Sequence, residues 1–143
     1  MLEGDDMNNL DHFNNITANV LSACFEQFPV PRDFHYENFY PENEENHDHD
    51  ISDVFYHTMM WLRKYEYIDF WDPDLSGTSF QHVSLTEKSL NILNKIPESL
   101  EEKTSIGRQL GRILKDGATN AASDMIKSIL SIGYSSGLEV LTG

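Results

Sequence analysis

One cysteine in 143 residues excludes an intramolecular disulfide framework and fits a reducing compartment. Cys24 falls on the apolar face of an expected helix with no base or cationic residue beside it, so it reads as a small core residue rather than a reactive thiol. Long apolar runs are missing as well. No stretch approaches the roughly 18 consecutive apolar residues of a membrane span, and Met1-Leu2-Glu3-Gly4-Asp5-Asp6 has neither the basic start nor the apolar run of a signal peptide. A soluble, cytoplasmic protein with no membrane contact is therefore expected. The chain also contains no nucleophile elbow, glycine-rich phosphate loop or H-E-x-x-H pair. Its dispersed Ser, His and Asp residues form no triad in sequence, so no catalytic residue and no cofactor are assigned, and a non-enzymatic role is expected.

Positive charge is the scarcest feature. Residues 1–60 hold thirteen of the 24 acids against a single base, Arg32, for a net of −12. Residues 61–80 carry four acids against Arg63 and Lys64, and residues 81–143 balance seven acids with seven bases, giving −14 overall. A field of this sign repels phosphate backbones and attracts basic surfaces, including the nucleic-acid-binding faces of other proteins.

The length and the 39% apolar content fit one core. Residues 1–9 read as a disordered lead-in. Leu10, Phe13, Thr17, Val20, Leu21, Cys24 and Phe28 then recur at helical spacing, with Asn14, Asn15, Asn19 and Gln27 on the other side, until Phe28-Pro29-Val30-Pro31 stops the helix. Phe34, Phe39 and Tyr40 are expected to anchor a short helix or extended segment, followed by an acidic loop from Glu42 to Asp50. Ile51, Val54, Phe55, Thr58, Met59, Leu62 and Tyr65 form the stripe of a second helix. Tyr67–Trp71 and Ser79–Ser84 alternate as strands of a hairpin turning at Asp72-Pro73-Asp74-Leu75-Ser76-Gly77. Ser84-x-x-Glu87 has the form of a capping box, so the next helix is expected to start there, bury Leu85, Ser89, Ile92, Leu93 and Ile96, and stop at Pro97. A charged linker, 98–104, leads to a C-terminal segment, 105–143. In it Ile106, Leu110, Ile113, Gly117, Ala121, Met125, Ile129 and Ile132 sustain a stripe, either as one long helix or as a helical hairpin broken near Gly117. Beside the stripe, Gly107, Leu110, Gly111, Ala118, Ala122 and Met125 are the residues expected to join a second copy. The alternative is that this segment folds back and completes the core.

From Val83-Ser-Leu-Thr-Glu-Lys-Ser-Leu-Asn-Ile-Leu93 the chain resembles the winged helix-turn-helix superfamily, in which a wing strand runs into a helix opening Leu-Thr-x-Lys-Gly. Met60-Trp-Leu-Arg-Lys-Tyr-Glu-Tyr-Ile-Asp69 resembles that family's exit from recognition helix to wing. The resemblance covers residues 10–97. It implies a mainly α, α+β fold: a winged-helix-like domain with a two-stranded hairpin, followed by the C-terminal helix or helical hairpin. Ser89 stands where the family often has glycine, and the segment from Pro29 to Asp50 matches the family's second helix poorly. In DNA-binding members the helix at 51–65 would enter the major groove and the turn at 72–79 would approach the minor groove. Those positions need Arg, Lys, Asn or Gln. Here they carry Asp50, Asp53, Asp72 and Asp74, which disfavours nucleic acid.

The expected function is therefore an acidic protein-binding module, an inhibitor or immunity-type protein that occupies a basic site on a toxin or nuclease. The expected contact residues are Glu42, Glu44, Glu45, Asp48, Asp50, Asp53, Tyr56, Met60, Asp72 and Asp74. The alternative is a winged-helix transcriptional regulator that dimerises through residues 104–133 and binds DNA through Arg108, Arg112, Lys115 and Lys127. His47, His49 and His57, with the neighbouring aspartates, have metal-ligand composition. Aspartates favouring a helix N-terminus are the simpler account, and no metal is assigned.

Overall fold

A computed structural model describes residues 8–40, 49–97 and 103–142, with residues 49–50 and 136–142 described by backbone only. Among these residues the chain forms five α-helices and a small antiparallel sheet: α1 (Asn9–Gln27), β1 (Arg32–His35), α2 (His49–Lys64), β2 (Ile68–Asp69), β3 (Ser79–Leu85), α3 (Glu87–Leu93), α4 (Ile106–Lys115) and α5 (Thr119–Thr142). A 3₁₀ turn at Tyr36–Asn38 follows β1. The sheet order is β1-β3-β2, so β3 is central. The extended alternative for the segment around Phe34 is the one adopted, and β1 adds a strand beyond the expected hairpin.

The first helix is capped reciprocally. Asn8 Oδ1 accepts from the Asp11 amide at 2.9 Å, and Asp11 Oδ2 accepts from the Asn8 amide at 3.1 Å. The helix packs against α2, α4, α5, β1 and β3. With neighbours on so many sides it buries far more than one stripe: Asn14, Ile16, Thr17, Ala18, Val20, Leu21 and Cys24 are all inside. Asn14, placed on the polar side by periodicity, is buried, whereas Leu10 and Phe28 at the two ends are exposed. Burial pushes the Cys24 thiol up to about 12, in keeping with a core residue. Thr17 Oγ1 is buried with no hydrogen-bond partner.

Two helix ends stop in the same way. After α2, Glu66 adopts φ +66°, the Glu66 amide donates to Arg63 O at 3.0 Å, and the Tyr67 amide donates to Leu62 O at 2.8 Å. After α4, Gly117 adopts φ +74°, its amide donates to Leu114 O at 3.1 Å, and the Ala118 amide donates to Ile113 O at 3.1 Å. Both are Schellman motifs, which satisfy the last carbonyls by a left-handed residue. The second motif breaks the C-terminal segment into a hairpin and resets its helical phase. Beyond the break Ala122, Ile126, Ile129 and Gly133 are buried, while Gly117 and Ala121 of the expected stripe are exposed.

The start of α3 is also shifted from expectation. Ser84 and Leu85 are strand residues, paired with Asp69 and Ile68, and the cap is Thr86. Its Oγ1 accepts from the Ser89 amide at 3.2 Å and donates to Glu66 O at 2.7 Å. Sheet pairing holds Ser84 extended, so the cap moves two residues on. The helix ends at Leu93, and Ile96 is exposed.

The C-terminal helices fold back into the core formed by residues 10–97. Ile106, Leu110, Ala122, Ile126 and Ile129 belong to the same buried cluster as Phe55, Phe80 and Leu93. Of the residues expected to join two copies, Leu110 and Ala122 are buried within the chain, and Gly107 lies so close to the Phe25 ring that an added Cβ would meet it at 2.5 Å. Gly111 approaches Ser22, Met125 is partly buried against the core, and Ala118 is exposed. Gly107, Gly111 and Ala122 thus serve intrachain helix contact, an outcome that sequence spacing could not separate from contact between copies.

Two substitutions test this packing. Leu110→Ala is expected to cost about 2–5 kcal/mol by chemical denaturation, with the whole chain unfolding in one transition seen by tryptophan fluorescence and by circular dichroism. A separate, low-stability transition for the C-terminal helices would contradict a shared core. Thr17→Val removes the unpartnered hydroxyl and is expected to gain about 1 kcal/mol; a loss of stability would show that the hydroxyl is satisfied in solution.

Candidate protein-docking surface

Helix α2 and the β2–β3 turn form one continuous face. What ties them together is Tyr56, whose ring lies so close to Gly77 that a Cβ there would sit 2.9 Å from it; Gly77 has φ +69°. Only glycine meets both demands. Tyr56 also packs beside Phe80, with ring centroids 6.0 Å apart. It is therefore half-buried and closes the turn onto the helix.

The turn itself is built by Asp74. Its Oδ1 accepts from the Ser76 hydroxyl at 2.6 Å, the Ser76 amide at 3.1 Å and the Gly77 amide at 3.2 Å. This is an Asx turn. The Ser76 hydroxyl, followed by the two amides, holds the Asp74 carboxyl below its ordinary value of 3.8. Asp72, at the near side, accepts from Arg63 Nη1 at 3.3 Å. The Arg63 guanidinium lies 4.4 Å from the Phe70 ring centroid and donates to Phe70 O at 3.4 Å.

Three nearby bases lie over aromatic rings. Besides Arg63, Lys64 lies 5.5 Å over the Tyr65 ring, and Lys88 donates to Tyr65 O at 2.6 Å while lying 4.1 Å over the Tyr67 ring. Desolvation lowers the Lys88 ammonium from its usual range. No lysine or arginine occurs between Lys64 and Lys88 in sequence. Asp53, Asp69, Asp72 and Asp74 are exposed, so the face is acidic.

Two apolar groups beside the turn are exposed. Leu75, at the tip of the turn, is 108% exposed, and Trp71 is 60% exposed. The Trp71 ring is stacked on His82 at 4.4 Å and 3°. His82 adopts φ +62° at a bulge in β3, where its amide donates to Asp33 Oδ1 at 3.0 Å. Strained backbone in the central strand thus fixes the platform under an exposed tryptophan.

The structure divides the expected contact residues. Asp53, Asp72 and Asp74 are exposed on this face, whereas Tyr56 and Met60 are partly buried against the core and contribute packing. Glu42, Glu44, Glu45 and Asp48 lie outside the described residues, as does the side chain of Asp50. Of the three histidines with metal-ligand composition, His47 and the side chain of His49 also lie outside. His57 is exposed and edge-on to Tyr56 at 5.0 Å. Among the described residues no three potential ligands converge. Sequence reasoning overlooked Trp71 and Leu75 as surface groups. The available signal was a leucine inside a turn otherwise made of aspartate, proline, serine and glycine.

Comparison with known proteins finds no match to this chain among family models, curated proteins or solved structures. No helix among the described residues is long and apolar enough to cross a membrane.

The Asp74 turn has a defined pH dependence. Its hydrogen bonds are made to the charged carboxylate, so the order it gives the turn is present above the unfolded value and is lost as pH falls through the depressed folded value. The amide resonances of Ser76 and Gly77 are expected to titrate together with a midpoint below 3.8, and Asp74→Asn to remove that titration while keeping the turn. A midpoint at or above the ordinary value would contradict the Asx turn.

Proposed function

We propose that this protein is a non-enzymatic binding module that places the acidic face of α2 and the β2–β3 turn into a basic site on a partner protein, as an inhibitor or immunity-type protein does with a toxin or nuclease. The observation that carries this reading is the exposure of Trp71 and Leu75 in the same short segment as exposed Asp72 and Asp74. Tryptophan in a rigid setting is a favoured anchor of protein interfaces. Carboxylates around it accelerate encounter with a cationic surface and reject anionic ones.

The winged-helix resemblance gives this face its meaning. Helix, strand, helix and hairpin follow one another, and between β1 and α2 the described residues hold a 3₁₀ turn where the resemblance would put a second helix. On that reading α2 stands where a recognition helix would be and the 72–79 turn where a wing would be. Both carry acid where a DNA reader carries base, so the scaffold serves protein contact. The alternative, a dimeric DNA-binding regulator, has less support: Leu110 and Ala122 of its expected dimer surface are buried within the chain.

The test is association kinetics with the partner, recovered by affinity capture and then purified. The association rate is expected to fall as salt rises, and Trp71→Ala combined with Leu75→Ala to weaken binding by about tenfold or more with an unchanged circular dichroism spectrum. Salt-indifferent association would remove the electrostatic part of the reading. An unchanged affinity in the double variant would place the interface elsewhere.

A further inference from the structure

Trp71 is exposed, yet it is braced from one side. Ile68 and Phe70 are buried while Asp69 and Trp71 are exposed, an alternation that puts Asp69 and Trp71 together on the outer side of the extended chain. The Trp71 amide donates to Gln81 O at 3.1 Å. Its ring lies flat on the His82 imidazole, with centroids 4.4 Å apart and planes 3° from parallel, and the His82 amide is tied to Asp33 Oδ1 at 3.0 Å. One face of the indole is therefore covered, and the 60% exposure of Trp71 falls on the other face and the edges. A flat ring already ordered in water loses little side-chain entropy when a ligand covers it.

The charge around this ring has one sign. Asp69, Asp72 and Asp74 flank Trp71 in sequence, and all three are exposed. Among the described residues only Asp72 of the three is ion-paired, to Arg63 at 3.3 Å, and its side chain remains 94% exposed, so most of its accepting capacity is open to solvent. Arg32, the one lysine or arginine in the three strands, lies 5.9 Å over the ring of buried Phe34. All 10 lysines and arginines of the chain are among the described residues, so none outside them offsets these aspartates.

We propose that the open face of Trp71 receives an arginine side chain of the partner protein, its guanidinium stacked on the indole and donating to the neighbouring carboxylates, Asp69 on the same side of the chain and the open Asp72. The inference rests on the docking reading of this face and names the group the partner presents to it. Indole is the aromatic face that attracts cations most strongly. A guanidinium is planar and weakly hydrated, so it covers a ring and keeps its donors in plane for a carboxylate, whereas an ammonium is a compact, strongly hydrated charge. A nucleobase would also stack, but its phosphates would stand among the aspartates. A sugar ring would cover the indole without using the charge.

The experiment follows the full ¹⁵N-labelled chain by NMR. Its two tryptophans give two indole N–H signals, with Trp61 as the internal reference. The probes are the capped tripeptide Gly-Arg-Gly at low salt, its lysine and citrulline counterparts, and cellotriose as a neutral sugar. The Trp71 indole signal is expected to shift saturably with the arginine peptide, less with lysine and not with citrulline or cellotriose. Asp69→Asn combined with Asp72→Asn is expected to weaken the arginine peptide by about threefold or more; asparagine can still accept the Phe70 amide bond that Asp69 Oδ1 makes. In Trp71→Leu, read by the backbone amides of residues 69–72, the preference for arginine over citrulline is expected to vanish. Equal shifts with arginine and citrulline, a larger response to cellotriose, or an arginine preference that survives Trp71→Leu would each overturn the proposal. If the arginine peptide leaves Trp71 unmoved while association with the purified partner still falls with salt and still depends on Trp71 and Leu75, the arginine contact is wrong and the docking face stands. If the arginine peptide binds as expected while partner association is indifferent to salt and to those residues, the contact stands and the docking reading fails.

Discussion

The structure depends on the burial of α1. This helix touches the second helix, the sheet and both C-terminal helices, so its side chains must be apolar or small over most of its circumference. Ile16, Val20 and Leu21 fill the contacts, while Ala18, Thr17 and Cys24 leave room for close approach. On the side of α4 the fit is tight enough that Gly107 has no space for a side chain beside Phe25. Dispersion contacts of this density are lost quickly when neighbours separate. The C-terminal helices and the residue 10–97 unit are joined by this fit into one core.

Once the core is closed, charge is sorted by which faces remain outside. The acidic face is set by two local devices, the Asp74 turn and the seating of Tyr56 on Gly77. Arg63 and Lys88 lie over aromatic rings and donate to backbone carbonyls, and Arg63 also pairs with Asp72. Helix α4 shows the opposite arrangement. Helix α4 is strongly amphipathic, and the face left over after Leu110 is buried carries three of its cations.

Much of the fold was legible where periodicity is strong. The stripe of α2 and the apolar positions of β3 were readable because each of those elements buries one face, and one buried face writes a clear period. Helix α1 was read less well. Burial on many sides leaves no clean stripe, and Asn14 and Ala18 carry no sequence mark of being inside. The cap of α3 was misplaced because Ser84 and Thr86 are both competent caps, and the pairing of Ser84 and Leu85 with β2, a nonlocal fact, selects between them. In the docking face the aspartates were visible as charges, but the roles of Tyr56 and Leu75 were not. Whether an aromatic closes a turn or faces water depends on what lies across from it.

The sequence by itself determined the sign and distribution of charge, the succession of helices and hairpin up to residue 97, and the stop at Phe28-Pro29, because these follow from side-chain charge and from local backbone preference; it left open whether the C-terminal segment breaks near Gly117. Tertiary structure alone decided that the C-terminal helices complete the core, that Gly107 and Ala122 serve contacts within the chain, and that Trp71 and Leu75 face water beside Asp72 and Asp74. Each of these depends on which surfaces meet, and a helical stripe of small and apolar residues is equally suited to meeting its own chain or another.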